Sequence, residues 1–165
     1  MPNVGSIFRV EEEESRVRYF WCVDVDQSQL NSQIIVVFRR TYPAAEQPDL
    51  DAIIRDDVDF YCHTFLGLGK KLGFWSRAGF RRVSREFPML FRNSADYGNP
   101  SINVSEKWFV WAPNQPYRNV GKLTGVLTRA EIGVVFPPSA VVSRIRSGKY
   151  GMQYPSYDSA FPPCA

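Results

Sequence analysis

The sequence predicts an α+β domain, mainly β, with an antiparallel, strongly twisted or barrel-like sheet, one short helix and a C-terminal helix. Three observations carry that expectation. Val17, Tyr19, Trp21, Val23 and Val25 alternate along Arg16 to Asp26, the period of a strand with one face turned inward. Ile34-Ile35-Val36-Val37-Phe38 is an unbroken apolar run within Gln33 to Arg40, as in a central strand covered on both sides. Pro138 to Ser147 has proline near its start, Val141, Val142 and Ile145 on one face, and Gly148 as a stop, which is a helix pattern.

The other elements follow in chain order. Ile7 to Val10 is a short strand, and Glu11 to Glu14 with Ser15 read as a solvated turn. On the second face of Arg16 to Asp26, Arg18, Cys22, Asp24 and Asp26 are polar or small, with Phe20 as an interruption. Thr41 to Pro48 is a loop marked by Pro43 and Pro48. Asp49 to Arg55 is one or two helical turns, with acids near its start and Leu50, Ile53 and Ile54 apolar.

Asp59 to Leu66 returns to strand, and Gly67, Gly69 and Gly73 read as a flexible turn. Phe74 to Phe80 is a strand centred on Trp75, and Phe87 to Arg92 an extended piece around Pro88. A polar loop, Asn93 to Asn103, precedes the strand Lys107 to Ala112; Pro113 and Pro116 then mark a turn region. Leu123 to Phe136 carries mixed signals, one solution being a helix through Arg129 and Glu131 with a strand after Gly133. The expected organisation is a single domain over 1–150 and an irregular tail over 151–165.

A length of 165 residues allows a real core without staples, and 44% hydrophobic residues argue against disorder. No leader-like apolar segment opens the chain, and no stretch has the roughly 18 to 20 apolar residues of a membrane span. Cys22, Cys62 and Cys164 are odd in number and widely spaced, which fits reduced thiols and a cytoplasmic location.

Chemistry-bearing patterns are sparse. His63 is the sole histidine, and a strand directs Cys62 and His63 to opposite faces, so they do not make a nucleophile–base pair. No Cys-x-x-Cys or His-x-x-x-His spacing exists, so no metal site is expected, and no cofactor motif is present. Gly67-Leu68-Gly69-Lys70-Lys71 lacks the spacing of a phosphate-binding loop and reads as a basic hairpin turn. The expected function is therefore binding rather than catalysis.

Charge is segregated. Residues 1–62 hold 12 acidic and 6 basic side chains, and residues 63–165 hold 5 acidic and 14 basic. The acidic set, Glu11, Glu12, Glu13, Glu14, Glu46, Asp49, Asp51, Asp56, Asp57 and Asp59, would suit a basic protein partner or be a plain solvated face. The basic set, Arg77, Arg81, Arg82, Arg85 and Arg92, is interleaved with Trp75, Phe80, Phe87 and Phe91. It has the composition of a nucleic-acid groove, or of a strand edge protected by charge.

The order of segments resembles the immunity protein 26 family of bacterial polymorphic toxin systems. The resemblance rests on Gly5-Ser6-Ile7-Phe8-Arg9-Val10, the strands ending near Val25 and Phe38, Pro48-Asp49-Leu50 leading to Ile53-Ile54, Gly73-Phe74-Trp75 with Gly79, and Phe87-Pro88 to Phe91-Arg92. It covers the chain to about Arg92. Ser6 stands where that family tends to have aspartate, and the C-terminal half is longer and more aromatic. The resemblance implies a non-catalytic protein that binds and neutralises a cognate toxin domain, without a cofactor. The acidic set, excepting Asp59, is the expected contact surface; nucleic-acid binding through Trp75, Arg77, Arg81, Arg82, Arg85 and Arg92 is the alternative.

Overall fold

The computed structural model describes residues 4–165. In chain order, the elements are β1 (Ser6–Glu13), β2 (Arg16–Asp26), β3 (Ser32–Phe38), β4 (Tyr42–Pro43), α1 (Leu50–Ile53), β5 (Val58–Thr64), α2 (Leu66–Lys71) and β6 (Trp75–Phe80). They continue with β7 (Phe91–Ser94), β8 (Trp108–Trp111), β9 (Arg118–Gly121), a 3₁₀ turn (Gly125–Arg129), β10 (Glu131–Ile132), β11 (Val135–Phe136) and α3 (Pro138–Ser147).

The first sheet has the order β11-β5-β3-β2-β1-β6, with β4 added to β2; the second has the order β10-β7-β8-β9. The chain is mainly β within an α+β plan. Neither sheet closes, so two open sheets replace the barrel-like alternative. Both are mixed, because β11 pairs parallel with β5 and β10 parallel with β7. No helix among the described residues is long and apolar enough to cross a membrane.

β2 explains the layering. Val17, Tyr19 and Trp21 enter a core shared with Ile34, Val36, Phe91 and Trp111. Phe20 and Cys22 enter another, shared with Phe8, Ile35, Phe60 and the α3 residues Val141, Val142 and Ile145. Phe20 is therefore no interruption: it stacks on Phe8 at 5.3 Å and meets Trp75 edge-on at 5.1 Å. Burial of each such side chain contributes roughly 1.5–3 kcal/mol, which makes the first sheet the energetic centre of the domain.

Helix α3 matches the expected span, and Gly148 ends it with φ 82°, the left-handed cap that glycine adopts without strain. α1 also forms as expected, with the Asp49 side chain accepting from the backbone N–H of Asp51. The glutamate run differs from expectation. β1 continues to Glu13 and pairs Glu11 with Val17 and Glu13 with Arg16, so the turn shrinks to Glu14 and Ser15.

The glycine-rich segment is helix α2 rather than a turn. A Cβ at Gly69 would lie 1.9 Å from Trp75 Cζ2, so glycine is required by the indole that covers it. The Trp75 Nε1–H donates to the Leu66 carbonyl at 3.0 Å, which fixes that indole against the helix. The segment 151–165 is irregular but anchored. The Ala165 carbonyl accepts from the N–H groups of Gly151 and Met152, and Tyr154 and Ser156 are buried.

Gly69→Ala is expected to lower unfolding free energy in urea by about 1–3 kcal/mol through overpacking against Trp75, although alanine adds roughly 1 kcal/mol of helix propensity. A neutral or stabilising result would show that the indole is free to move aside.

Candidate functional site

The candidate catalytic groups lie inside the fold. Cys22, Cys62 and His63 have no exposed surface, while Cys164 is exposed. Burial pushes the Cys22 and Cys62 thiols up to about 12, far from a reactive thiolate. Cys62 belongs to the α3-facing core, whereas the His63 ring lies 4.1 Å from Phe91 on the opposite side. The two side chains therefore point apart, as the strand period requires.

His63 instead meets Asp26 at the end of β2, with Nε2 3.2 Å from Oδ2. That same oxygen accepts the Trp111 Nε1–H at 3.0 Å. Oδ1 accepts from the Ser28 N–H and hydroxyl at 3.1 and 3.0 Å, from the Gln29 N–H at 3.3 Å, and from the Asn114 N–H at 3.4 Å. Burial pushes the Asp26 carboxyl upward, but the donors from Trp111, Ser28, Gln29 and His63 outweigh it and hold the carboxyl below its usual range.

An ionised carboxylate only accepts hydrogen bonds, so the proton sits on His63 Nε2, and Nδ1 is left buried without a partner. Desolvation pushes the His63 pKa down despite Asp26, so the imidazole is neutral. The pair has the parts of a base relay, but it is fully enclosed and its carboxylate is saturated. It acts as a junction between the sheets. The sequence carried one signal for it, the Asp26-Gln27-Ser28 spacing of an Asx turn.

The acidic set separates into three groups. Glu11 and Glu13 lie on β1, with Glu14 at the hairpin tip; Glu13 faces Arg16 at 3.9 Å. Glu12, Asp56 and Asp59 gather around arginines: Arg18 contacts Glu12 and Asp59, Arg39 contacts Asp59, and Arg40 contacts Asp56. Thr41 and Tyr42 donate to Glu12 and Asp56. Asp57 is exposed beside this group and accepts the Arg39 N–H through its carbonyl.

The third group, Glu46, Asp49 and Asp51, meets the basic set. Arg81 donates to Asp51 at 2.6 Å, an exchange that lowers the Asp51 pKa and raises that of Arg81. Arg85 donates to the carbonyls of Ile54 and Asp56. A groove of about 650 Å³ runs between the 44–50 loop and β6, the edge strand of the first sheet, which is open on its far side among the described residues. Glu46 and Asp49 line it with Arg9, Arg77, Arg81 and Ser76. The backbone N–H of Ala44 donates to the Ser15 carbonyl at 2.7 Å, which ties the β1–β2 hairpin tip to the loop that bounds this groove.

Two of the aromatic partners expected of a nucleic-acid groove are elsewhere. Trp75 and Phe91 are buried in the two cores. The Arg92 guanidinium stands over Trp108 and Tyr157 and donates to the Thr128 carbonyl. Arg82 is exposed, and Phe80 is the one exposed ring of that set. Arg92 is thus parted from Arg77, Arg81, Arg82 and Arg85; Arg85 stands over Phe87 at 5.0 Å, and among the described residues no ring of the set accompanies Arg77, Arg81 or Arg82 in the same way. Arg144, in the last turn of α3, makes a two-pronged contact with Glu131 at 2.6 and 2.9 Å and holds the helix to β10.

Compared with protein-family models, curated proteins and solved structures, the chain finds no match in any of the three. Its own geometry therefore defines its class: a two-sheet, mainly β domain with a sealed Asp26–His63–Trp111 junction and a mixed-charge groove at an open sheet edge.

The junction predicts a pH dependence of definite sign. The folded His63 pKa lies below the ordinary 6.5, so its contribution to stability is full above about pH 6.5 and declines as pH falls towards the folded value. Asp26, held below 3.8, adds a further loss only under more acidic conditions. Thermal unfolding by circular dichroism is expected to show a lower midpoint at about pH 5 than at about pH 7.5, with most of that difference absent in His63→Gln. In the native protein, a thiol reagent is expected to modify Cys164 alone; reaction at Cys22 or Cys62 before unfolding would contradict the burial described above.

Proposed function

We propose that this chain is a non-catalytic immunity protein that binds and neutralises a cognate bacterial toxin domain in the cytoplasm, with the β6 groove as its contact surface. The observation that carries this reading is the meeting of Glu46 and Asp49 with Arg77 and Arg81 beside the open edge of β6. An open edge offers backbone donors and acceptors on which a partner strand can pair. Charges of both signs beside it reward one orientation of the partner and penalise others. Glu14 lies at the hairpin tip that the Ala44–Ser15 hydrogen bond ties to the same loop, which adds an acid to this side of the molecule.

Further support comes from the interior. Asp26, His63, Cys22 and Cys62 are committed to packing, which suits a rigid scaffold whose surface performs the recognition. The segment order that resembles immunity protein 26 supplies the partner class. A toxin domain with a basic catalytic cleft would find in Glu14, Glu46 and Asp49 a substitute for its anionic substrate.

Co-expression with the toxin domain encoded beside this gene is expected to rescue growth, and the purified pair to associate. Glu46→Lys with Asp49→Lys is expected to slow association by about tenfold or more at low salt and to flatten its salt dependence. Unchanged association in that variant would remove the groove from the interface, and failure of rescue would remove the function. Salt-dependent retardation of nucleic acid by micromolar protein would favour the alternative instead.

A further inference from the structure

The geometry points to a binding site for a neutral carbohydrate on the second sheet, independent of the β6 groove. The cavity holds about 460 Å³, within the roughly 300–1,000 Å³ of small-molecule sites. Phe109, Trp111 and Tyr117 line it, with the amides of Gln29, Asn93 and Asn119. No charged side chain among the described residues lines it, although 22% of the chain is charged. A ligand carrying phosphate or carboxylate would find no counter-charge there; an uncharged polyhydroxylated one would need none.

Strand register builds the site. Asn93, Phe109 and Asn119 are directly opposite one another across β7, β8 and β9, so the Phe109 ring has an asparagine on each side. Two residues along β8, Trp111 lies 5.9 Å from Phe109 with only 22° between the ring planes. Trp111 is the floor: a Cβ at Gly133 would lie 2.1 Å from its ring, and Asp26 holds its Nε1–H. Phe109 is half-buried and Tyr117 is 54% exposed, tilted 58° from Phe109 as a side wall.

This arrangement matches a pyranose. Its ring C–H groups carry slight positive charge and lie well on the negative face of an aromatic ring. Its hydroxyls each donate and accept, as do carboxamides, and in-register amides flanking one ring reach hydroxyls on both sides of a sugar. Asn93 is held in place: its Oδ1 accepts from the Tyr154 hydroxyl at 3.0 Å and the Ser94 N–H at 2.8 Å, and its Nδ2 donates to the Gly133 carbonyl at 3.4 Å, which leaves one Nδ2 hydrogen to donate to a ligand. Among the described residues, Asn119 makes no side-chain hydrogen bond, so both ends of its amide are available. A planar base would favour two facing rings, and the 58° tilt of Tyr117 does not supply them.

The test titrates the full chain with maltotriose, cellotriose and triacetylchitotriose, with adenosine as an uncharged aromatic control, by calorimetry and amide chemical shifts. At least one glycan is expected to bind saturably with shifts centred on β8 and β9. Tyr117→Ala and Asn119→Ala, both at exposed positions, are expected to weaken binding by about tenfold while the unfolding midpoint stays unchanged. The inference is overturned by no saturable glycan binding up to about 10 mM, enough to saturate a millimolar site. It is equally overturned by adenosine binding without glycan binding, or by glycan binding that both variants retain.

Discussion

The architecture depends on one buried carboxylate. Asp26 ends β2, His63 lies on β5, Trp111 ends β8, and Ser28, Gln29 and Asn114 sit in the turns beyond β2 and β8. An uncompensated carboxylate in this position would cost several kcal/mol, so the two sheets can pack only when all these segments arrive together. Phe91 fills the space between the imidazole and the indole, and Gly133 gives the indole its flat seat. The junction contributes mainly to uniqueness: a one-residue slip of β2 would turn Asp26 away from its donors.

Folding also rearranges charge. Along the chain, acid precedes base; in space, the two interlock. Arg18 is enclosed, donating to the Phe38 and Ile145 carbonyls and to Asp59. Arg81 reaches back to Asp51, and Arg85 to the carbonyls behind α1. Exposed pairs such as Arg81–Asp51 contribute little to stability, because water and salt screen them. Their larger effect is on recognition, because the surface becomes a mosaic that discriminates by orientation rather than by net charge.

Much of the fold was legible because its strongest elements are periodic. Arg16–Asp26 and Pro138–Ser147 have the predicted bounds, since alternation and a proline-to-glycine frame are local signals. The misreadings were cases where tertiary contact overrides local preference. Gly67 and Gly69 read as a turn until Trp75 is seen to need the space, and Glu11 to Glu13 read as a turn until Arg16 and Val17 pair with that stretch as strand, its glutamates staying largely solvated. The site was less legible. Asp26 and His63 are 37 residues apart, and the Asn93–Phe109–Asn119 row spans three strands whose pairing no single segment encodes.

The parallel pairing of β11 with β5 has a temporal consequence. Thr64 donates its hydroxyl to the Phe136 carbonyl from 72 residues away, and α3 follows directly after β11. On a ribosome, β1, β2, β3 and β5 are complete by Thr64, yet Phe8, Phe20, Ile35 and Phe60 must wait for α3 to cover them. At about 5–20 residues per second, that interval lasts roughly 4–17 s. The nascent chain therefore spends seconds with an apolar sheet face uncovered, a period in which chaperone capture competes with self-association.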